Sequence, residues 1–410
     1  MDCDAGTVYV RIKRRSLSSS YRFLSHPPFT IDVVTVKILH TSDWHVGRRI
    51  RGRDRSEEHR AVLAELTDVA RSNSVDLTVV AGDLFDTTAP SPGSEQIVWR
   101  TLLDLAETSP VVVVAGNHDS PARLNAVAPL LEMGRISVCS TPSKPEDGGL
   151  IEISDLGLKI AALPFVSQRG IVKAEDIMSS DPDQHAGEYE DRVKRLISVL
   201  TSDMTADTVN LLVSHLTVHG ALGGGGERQA HIFGYAIPTT AFPSHLSYVA
   251  LGHLHRQQKM PHSAAVWYSG SPLQLDFGEV DDQKGALLIE ADPGLPARVT
   301  AVPLTSGTRL VTLRGSLDQV LARADEVQDT HVKVELDEAA RVGLADEVRA
   351  AIPGVVDVIL LKTARKPGGE KKRRQRLAPI EAFHEYLVDS NTEDAKLEAL
   401  FAELLDEVSV

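Results

Sequence analysis

The feature that most constrains this chain is a pattern met five times: a short apolar run ends in small residues and is followed at once by side chains able to hold a metal ion. The runs are VKILHTSDWH, with Asp43 and His45; LTVVAGDLFD, with Asp83 and Asp86; VVVVAGNHDS, with Asn117, His118 and Asp119; VNLLVSHLTVH, with His215 and His219; and YVALGHLH, with His253 and His255. A continuous apolar run of about four to eight residues bounded by turn residues marks a strand buried on both faces, the usual strand of a parallel sheet. Segments with helical periodicity, Glu57 to Arg71 and Ser94 to Glu107, separate the first strands and give βαβ spacing. Ligands in such folds bind beyond the carboxyl ends of the strands, so the five side-chain sets are expected along one sheet edge.

Taken singly, each set is ordinary turn chemistry; five in succession are not. Carboxylate, amide oxygen and imidazole together suit divalent ions such as manganese, iron or zinc, and a structural zinc site would need thiolates. The only cysteines are Cys3 and Cys139. In extended chain, residues i and i+2 point the same way, so Asp43 with His45, and His253 with His255, each present two ligands to a small volume. That supply exceeds the need of one ion. Two ions roughly 3.5–4 Å apart, bridged by a carboxylate, form the usual site for in-line displacement at phosphorus.

At 410 residues the chain is long enough for two or three domains, and 42% hydrophobic with 24% charged residues excludes a disordered or collagen-like protein. Two cysteines exclude a disulfide framework and point to a reducing compartment, the cytoplasm. No apolar stretch approaches the roughly eighteen residues that a membrane-spanning helix needs. The net charge of −14 disfavours binding nucleic acid through the overall field but leaves room for a local basic groove. Such a groove is suggested by GRRIRGRDR, which follows the first ligand pair and supplies Arg48, Arg49, Arg51, Arg53 and Arg55. Lys362 to Arg376 holds eight basic residues against one acid, including Arg373 and Arg374, whereas Glu381 to Val410 holds nine acids against Lys396.

These shifts divide the chain. Residues 1–36, basic and Ser-rich, are expected to be a poorly ordered extension, with a transit peptide as the alternative. Residues 37–295 form the metal-bearing domain. Residues 300–365 read as a small α/β unit with strands in TRLVTLRGS, HVKVELDE and VVDVILLKT. A basic linker, 366–379, leads to a helical segment over 380–410, where Leu397, Leu400, Phe401, Leu404, Leu405 and Val408 make one apolar face opposite an acidic one.

In their order and spacing, Asp-x-His, Gly-Asp-x-x-Asp, Gly-Asn-His-Asp, a lone His after a strand and Gly-His-x-His resemble the calcineurin-like metallophosphoesterases, over about residues 37 to 290. Within that family HTSDWHVGR, GDLFDTTAPS and YSGSPLQLDFGE are similar to the nuclease subunits that act with an SMC-type ATPase in double-strand-break repair. The resemblance implies an α/β fold: a β-sandwich core flanked by helices, a smaller α/β capping domain and a C-terminal helical segment. It implies that Asp43, His45 and His255 hold the first of two divalent ions, manganese foremost, that Asp83 bridges, and that Asn117, His215 and His253 hold the second. His118 would contact the scissile phosphate as general acid, with Asp119 fixing its tautomer. Asp86 is then a structural residue, and His219 and His231 are loop histidines without a role. The implied partners are double-stranded DNA ends and hairpins, gripped by Arg48, Arg49, Arg51, Arg53, Arg373 and Arg374, and the ATPase, docked by Leu397, Leu400, Phe401, Leu404 and Leu405, with a homodimer inside a heterotetramer as the assembly. The implied activity is duplex exonuclease and single-strand or hairpin endonuclease. A phosphatase or phosphodiesterase of a small molecule is the enzymatic alternative, and a protein-binding scaffold the non-enzymatic one.

Overall fold

The computed structural model describes residues 35–167, 182–225 and 236–361, with side chains from 189 onward in the second stretch, and the C-terminal positions Phe383, Leu387, Leu397, Leu400 and Phe401. The N-terminal extension up to residue 34, His231, Arg373, Arg374, Leu404 and Leu405 lie outside the described residues. The chain divides into two units between Val311 and Thr312.

The first unit is built on two six-stranded sheets. In one, β1 (Val36–Thr41), β2 (Leu77–Ala81), β3 (Val111–Val114) and β4 (Ile136–Cys139) run parallel, and in the other β6 (Leu158–Leu163), β7 (Val209–His215), β10 (Tyr248–Gly252) and β12 (Ala265–Tyr268) do the same. Antiparallel strands complete both sheets. In the second sheet these are β5 (Leu150–Ile153) and β11 (Gln258–Met260), while β13 (Gly285–Ala291) and β14 (Arg298–Pro303) extend the first beyond β1. A small parallel pair, β8 (Thr217–Val218) with β9 (Ala236–Ile237), lies outside both.

Period-two alternation explains why these strands read as unbroken apolar runs. Ile38, Val79, Val112 and Val114 face Ile160, Leu211, Val213 and Tyr248 in the core between the sheets. Their neighbours Leu39, Val80, Val111 and Val113 face the other way, onto α1 (Ser56–Ser72) and α2 (Pro92–Thr108). On the outer side of the second sheet, Ala161, Leu212, Val249 and Val266 pack beneath Tyr189, Val193 and Ile197 of α4 (Pro182–Leu200); α3 (Pro121–Glu132) connects β3 to β4. The result is a helix-sheet-sheet-helix sandwich, with every central strand buried on both faces.

One expectation is corrected here. The five ligand-bearing strands do not share one sheet edge: β1, β2 and β3 belong to one sheet, β7 and β10 to the other. The first unit includes β14, which pairs along its length with β13.

The second unit holds a three-stranded sheet in the order β15 (Leu310–Gly315), β16 (His331–Leu336), β17 (Val355–Leu360). Its helices are α5 (Leu317–Leu321), started by a Ser316–Gln319 capping box, and α6 (Leu344–Ala351). Leu313, Val320, Val332, Val334, Leu344 and Val348 supply its core. Leu397, Leu400 and Phe401 are helical and differ in cover: Phe401 stacks on Phe383 with ring centroids 4.0 Å apart, whereas Leu397 and Leu400 are 43% and 51% exposed.

Candidate dinuclear metal centre

Two sheets can bring five loops together only if their strand ends approach closely, and glycine makes that approach. A Cβ on Gly252, at the end of β10, would sit 1.9 Å from the carbonyl oxygen of Ala81 at the end of β2. A Cβ on Gly82 would lie 2.3 Å from Nδ1 of His215, and its φ of +90° is a second requirement for glycine. Immediately beyond these contacts the chain enters left-handed backbone at Asp43 (φ 54°), His45 (44°), Asp83 (53°) and His253 (98°). Each such residue costs of order 1–3 kcal/mol and persists only where its surroundings fix it. The strain lies on the residues that the sequence marks as ligands.

The side chains converge as two clusters. Asp43, His45 and His255 offer ligand atoms within 4.8 Å of one another, as do Asp43, Asp83 and His215, and also His45, Asp83 and His118. Asn117 completes the second side: its Oδ1 lies 3.0 Å from Nε2 of His215 and 2.9 Å from Nδ1 of His253. Asp83 stands between the clusters, its Oδ2 3.4 Å from Nε2 of His45 and 3.5 Å from Nε2 of His215. Its other oxygen accepts the backbone N–H of His118 at 2.8 Å, which fixes the carboxylate. Asp43 is fixed from the opposite sheet by the backbone N–H of His253, 3.0 Å from its Oδ1, and by the Ser42 hydroxyl, 2.6 Å from its Oδ2.

Hydrogen bonds set the imidazole tautomers. His215 gives Nδ1–H to the Ala81 carbonyl (2.8 Å), His255 to Glu279 Oε1 (2.9 Å) and His118 to the Asp86 carbonyl (2.7 Å), so each keeps Nε2 for the site. In the His215–Asn117 pair two acceptors therefore face each other, whereas the Nε2 lone pair of His255 meets Nε2 of His45 at 3.1 Å, where a neutral His45 can donate its proton. The His215–Asn117 contact calls for a cation between its two acceptors, either a proton or a metal ion. Burial opposes a charge on His215, yet the Asp83 carboxylate and its hydrogen bond hold the imidazole pKa up at about 9. Burial likewise opposes ionisation of Asp83, and the facing histidines outweigh it and press its pKa far below the carboxylate range. For His45 burial dominates and lowers the pKa, leaving a neutral ring whose Nδ1 has no hydrogen-bond partner and lies 3.6 Å from Asp86. Imidazoles, ionised carboxylates and an amide oxygen are the donor set of a divalent, borderline-hard ion, which would take the place of the proton on His215, and the residues present fit two such ions.

Asp119 differs from the expectation. It is not the partner of the His118 ring, which is held by the Asp86 carbonyl; its carboxylate accepts from the backbone N–H groups of Gly116 (2.9 Å), Phe85 (3.2 Å) and Leu84 (3.3 Å). It staples the loop after β2 to the loop after β3, and burial followed by the nearby charge of Asp83 raises its pKa to about 6. The Asp86 carboxylate pairs with Arg48 at 3.3 Å. The arginines divide by environment. Arg49, Arg51 and Arg53 are exposed on a tight hairpin anchored by buried Ile50, with Arg49 Nε donating to the Gly52 carbonyl at 3.0 Å. Arg55 is buried and bonded to Glu58 and to the Gln274 carbonyl, so it supports the fold and faces no ligand. His219 is exposed, 4.0 Å from Glu190.

Sequence reasoning missed Glu279 and Lys284, which are buried behind His255. Burial opposes the charge on Glu279, and the His255 hydrogen bond with the Lys284 ammonium holds its pKa down at about 2. The only signal was an acid inside the apolar wording LQLDFGE. Phe165, its ring stacked at 27° and 6.2 Å on His253, was likewise unannounced.

A sandwich of parallel sheets whose strand ends present this two-sided cluster is the architecture of a metal-dependent phosphoesterase. The family model for calcineurin-like phosphoesterases matches residues 36–257, and the chain belongs to that family. Its relatives include the SbcD component of the nuclease SbcCD of Bacillus subtilis, 32% identical over 341 residues, which are 79% of this chain and 85% of the relative. The proteins of the same name from Rhodobacter capsulatus (31% over 311 residues; 71% of this chain, 76% of the relative) and Escherichia coli K12 (29% over 306 residues; 72% and 74%) are similar to it as well. Among the described residues no helix is long and apolar enough to cross a membrane.

Proposed function

We propose that this chain is a metal-dependent DNA nuclease subunit that hydrolyses phosphodiester bonds as a duplex exonuclease and a single-strand or hairpin endonuclease, together with an SbcC-like, SMC-type ATPase. Its setting would be the repair, recombination and replication of DNA in the cytoplasm, at the nucleoid. The observation that carries the reading is Asp83, whose one oxygen lies 3.4 and 3.5 Å from histidines of two different clusters. The names of the relatives support the substrate class.

Asp43, His45 and His255 would hold one ion, Asn117, His215 and His253 the other, with Asp83 shared and manganese the expected metal. When bound, such a pair acidifies the attacking water and offsets the charge on the phosphoryl oxygens. The chain's own residues do the rest. His118, its Nδ1–H held by the Asp86 carbonyl, turns Nε2 to the scissile phosphate, and as an imidazolium, with a second proton on Nε2, it passes that proton to the leaving oxygen and returns to the neutral ring. Arg48, Arg49, Arg51 and Arg53 bind the phosphate backbone, and the positive charge they add is local in a chain of net charge −14.

The test compares a plasmid-length linear duplex with bis-nitrophenyl phosphate, each with manganese, in the presence of the ATPase. Degradation of the duplex is expected. Turnover of the small ester with an intact duplex would instead favour the small-molecule phosphodiesterase reading.

A further inference from the structure

Behind His255 lies a pair of opposite charges that the proposed reaction does not use directly. Glu279 sits in the turn Phe277–Glu279 and is fully buried. Its Oε1 accepts the Nδ1–H of His255 at 2.9 Å, while its Oε2 accepts the backbone N–H of Leu275 at 2.9 Å and pairs with Lys284 Nζ at 2.8 Å. Lys284 also donates to the carbonyl of His255 (2.8 Å) and to the Ser271 hydroxyl (3.0 Å), so it grips the same residue from the main-chain side. The turn itself is tied down: Gln274 Nε2 donates to the Glu279 carbonyl at 2.9 Å, and Asp276 accepts the N–H of Gly278 at 3.0 Å.

Burying two charges is costly, and well-packed apolar side chains in their place usually leave a fold as stable or more so. The pair therefore calls for a reason other than stability. We propose that Glu279, anchored by Lys284, is the positioning residue of His255, keeping its proton on Nδ1 and its Nε2 lone pair turned toward the Nε2 of His45. This rests on reading the site as a metal centre. A carboxylate behind a ligating imidazole fixes the ring and raises its basicity, and losing it commonly weakens metal affinity 10–100-fold.

The experiment uses the full, metal-free chain and manganese alone. Manganese is titrated by calorimetry into the wild type, Glu279→Gln, and the double variant Glu279→Gln with Lys284→Met. The double variant removes both charges together, so it carries the test if the single variant, its ammonium left with only Asp282 at 3.9 Å, does not fold. Wild type is expected to bind two ions. The variant should bind one of them about 10–100-fold more weakly and the other unchanged. Nitrogen-15 histidine spectra of the metal-free chain give a readout that simple structural support would not move: His255 should carry its proton on Nδ1 in wild type and lose that single tautomer in the variant. A folded variant that binds both ions as tightly as wild type, or a wild-type His255 protonated on Nε2, overturns the proposal alone. A wild type that takes up no manganese overturns the metal reading, and this proposal with it.

Discussion

Asp83 and His118 are adjacent in space but differ in what they touch, and the difference predicts separate failures. Asp83 contacts both histidine clusters through one oxygen, so Asp83→Ala should release metal and abolish activity. His118 is held from behind by a main-chain carbonyl, so His118→Gln should keep two ions while turnover falls by about 10²–10⁴, the usual worth of a general acid. Metal analysis of both purified variants, beside their rates, checks this; metal loss from the His118 variant with two ions retained by the Asp83 variant would reverse the assignment. The candidate ligands were legible because a short polar side chain at the end of a buried strand has few other uses. Asp119 was only half legible: its type and place announce a role, but whether a carboxylate meets a ring or three backbone N–H groups depends on how two loops cross. Glu279 and Lys284 were not legible, since their meaning comes from being buried together behind a residue more than twenty positions away.

Strands were easy to find and their partners were not. A strand buried on both faces shows the same unbroken run whichever sheet it joins, so VNLLVSH and YVALGH look like further members of the first sheet although they pair in the second. The deciding contacts cross between sheets. One is polar: His40 on β1, enclosed in the sandwich, meets the Tyr248 hydroxyl of β10 through Nδ1 at 2.8 Å. Burial lowers its pKa from 6.5 to about 3. The unfolded chain therefore takes up a proton as pH falls through about 6.5 that the folded chain refuses until about 3, and stability present above 6.5 is lost across that window. His59 on α1, lowered by burial to about 4, adds to the loss in the upper part of the same range. Each such group contributes up to about 1.4 kcal/mol per pH unit. His40→Gln retains a partner for Tyr248 but has nothing to titrate. Urea unfolding of the metal-free chain between pH 7 and 4 should show a shallower decline for this variant; parallel declines would mean that His40 is protonated in the fold.

Over the whole molecule, β14, exposed along much of its length, reads as the start of something new while its backbone completes the first sheet. Charge is unevenly spread, and a basic hairpin on an acidic chain should bind duplex with a strong salt dependence. Affinity should fall steeply between roughly 50 and 200 mM salt, and each contacting arginine removed from Arg49, Arg51 and Arg53 should lower the logarithmic slope by about 1. A flat salt response, unchanged in the triple variant, would take the hairpin out of the interface. The C-terminal residues make the last prediction. Phe401 is engaged with Phe383, whereas Leu397 and Leu400 remain half exposed in a segment whose helical spacing otherwise calls for cover. Phe401→Ala should therefore lower the melting temperature of the isolated chain by a few degrees, because an aromatic pair contributes about 0.5–1.5 kcal/mol beyond its buried area. Leu397→Asp with Leu400→Asp should leave melting unchanged and abolish co-purification with the ATPase, since two large side chains seated in a partner's groove are worth a few kcal/mol at roughly 25 cal/mol per Å². Undiminished co-purification of that double variant, or a lowered melting temperature with the partner still bound, would assign both leucines to the chain's own packing.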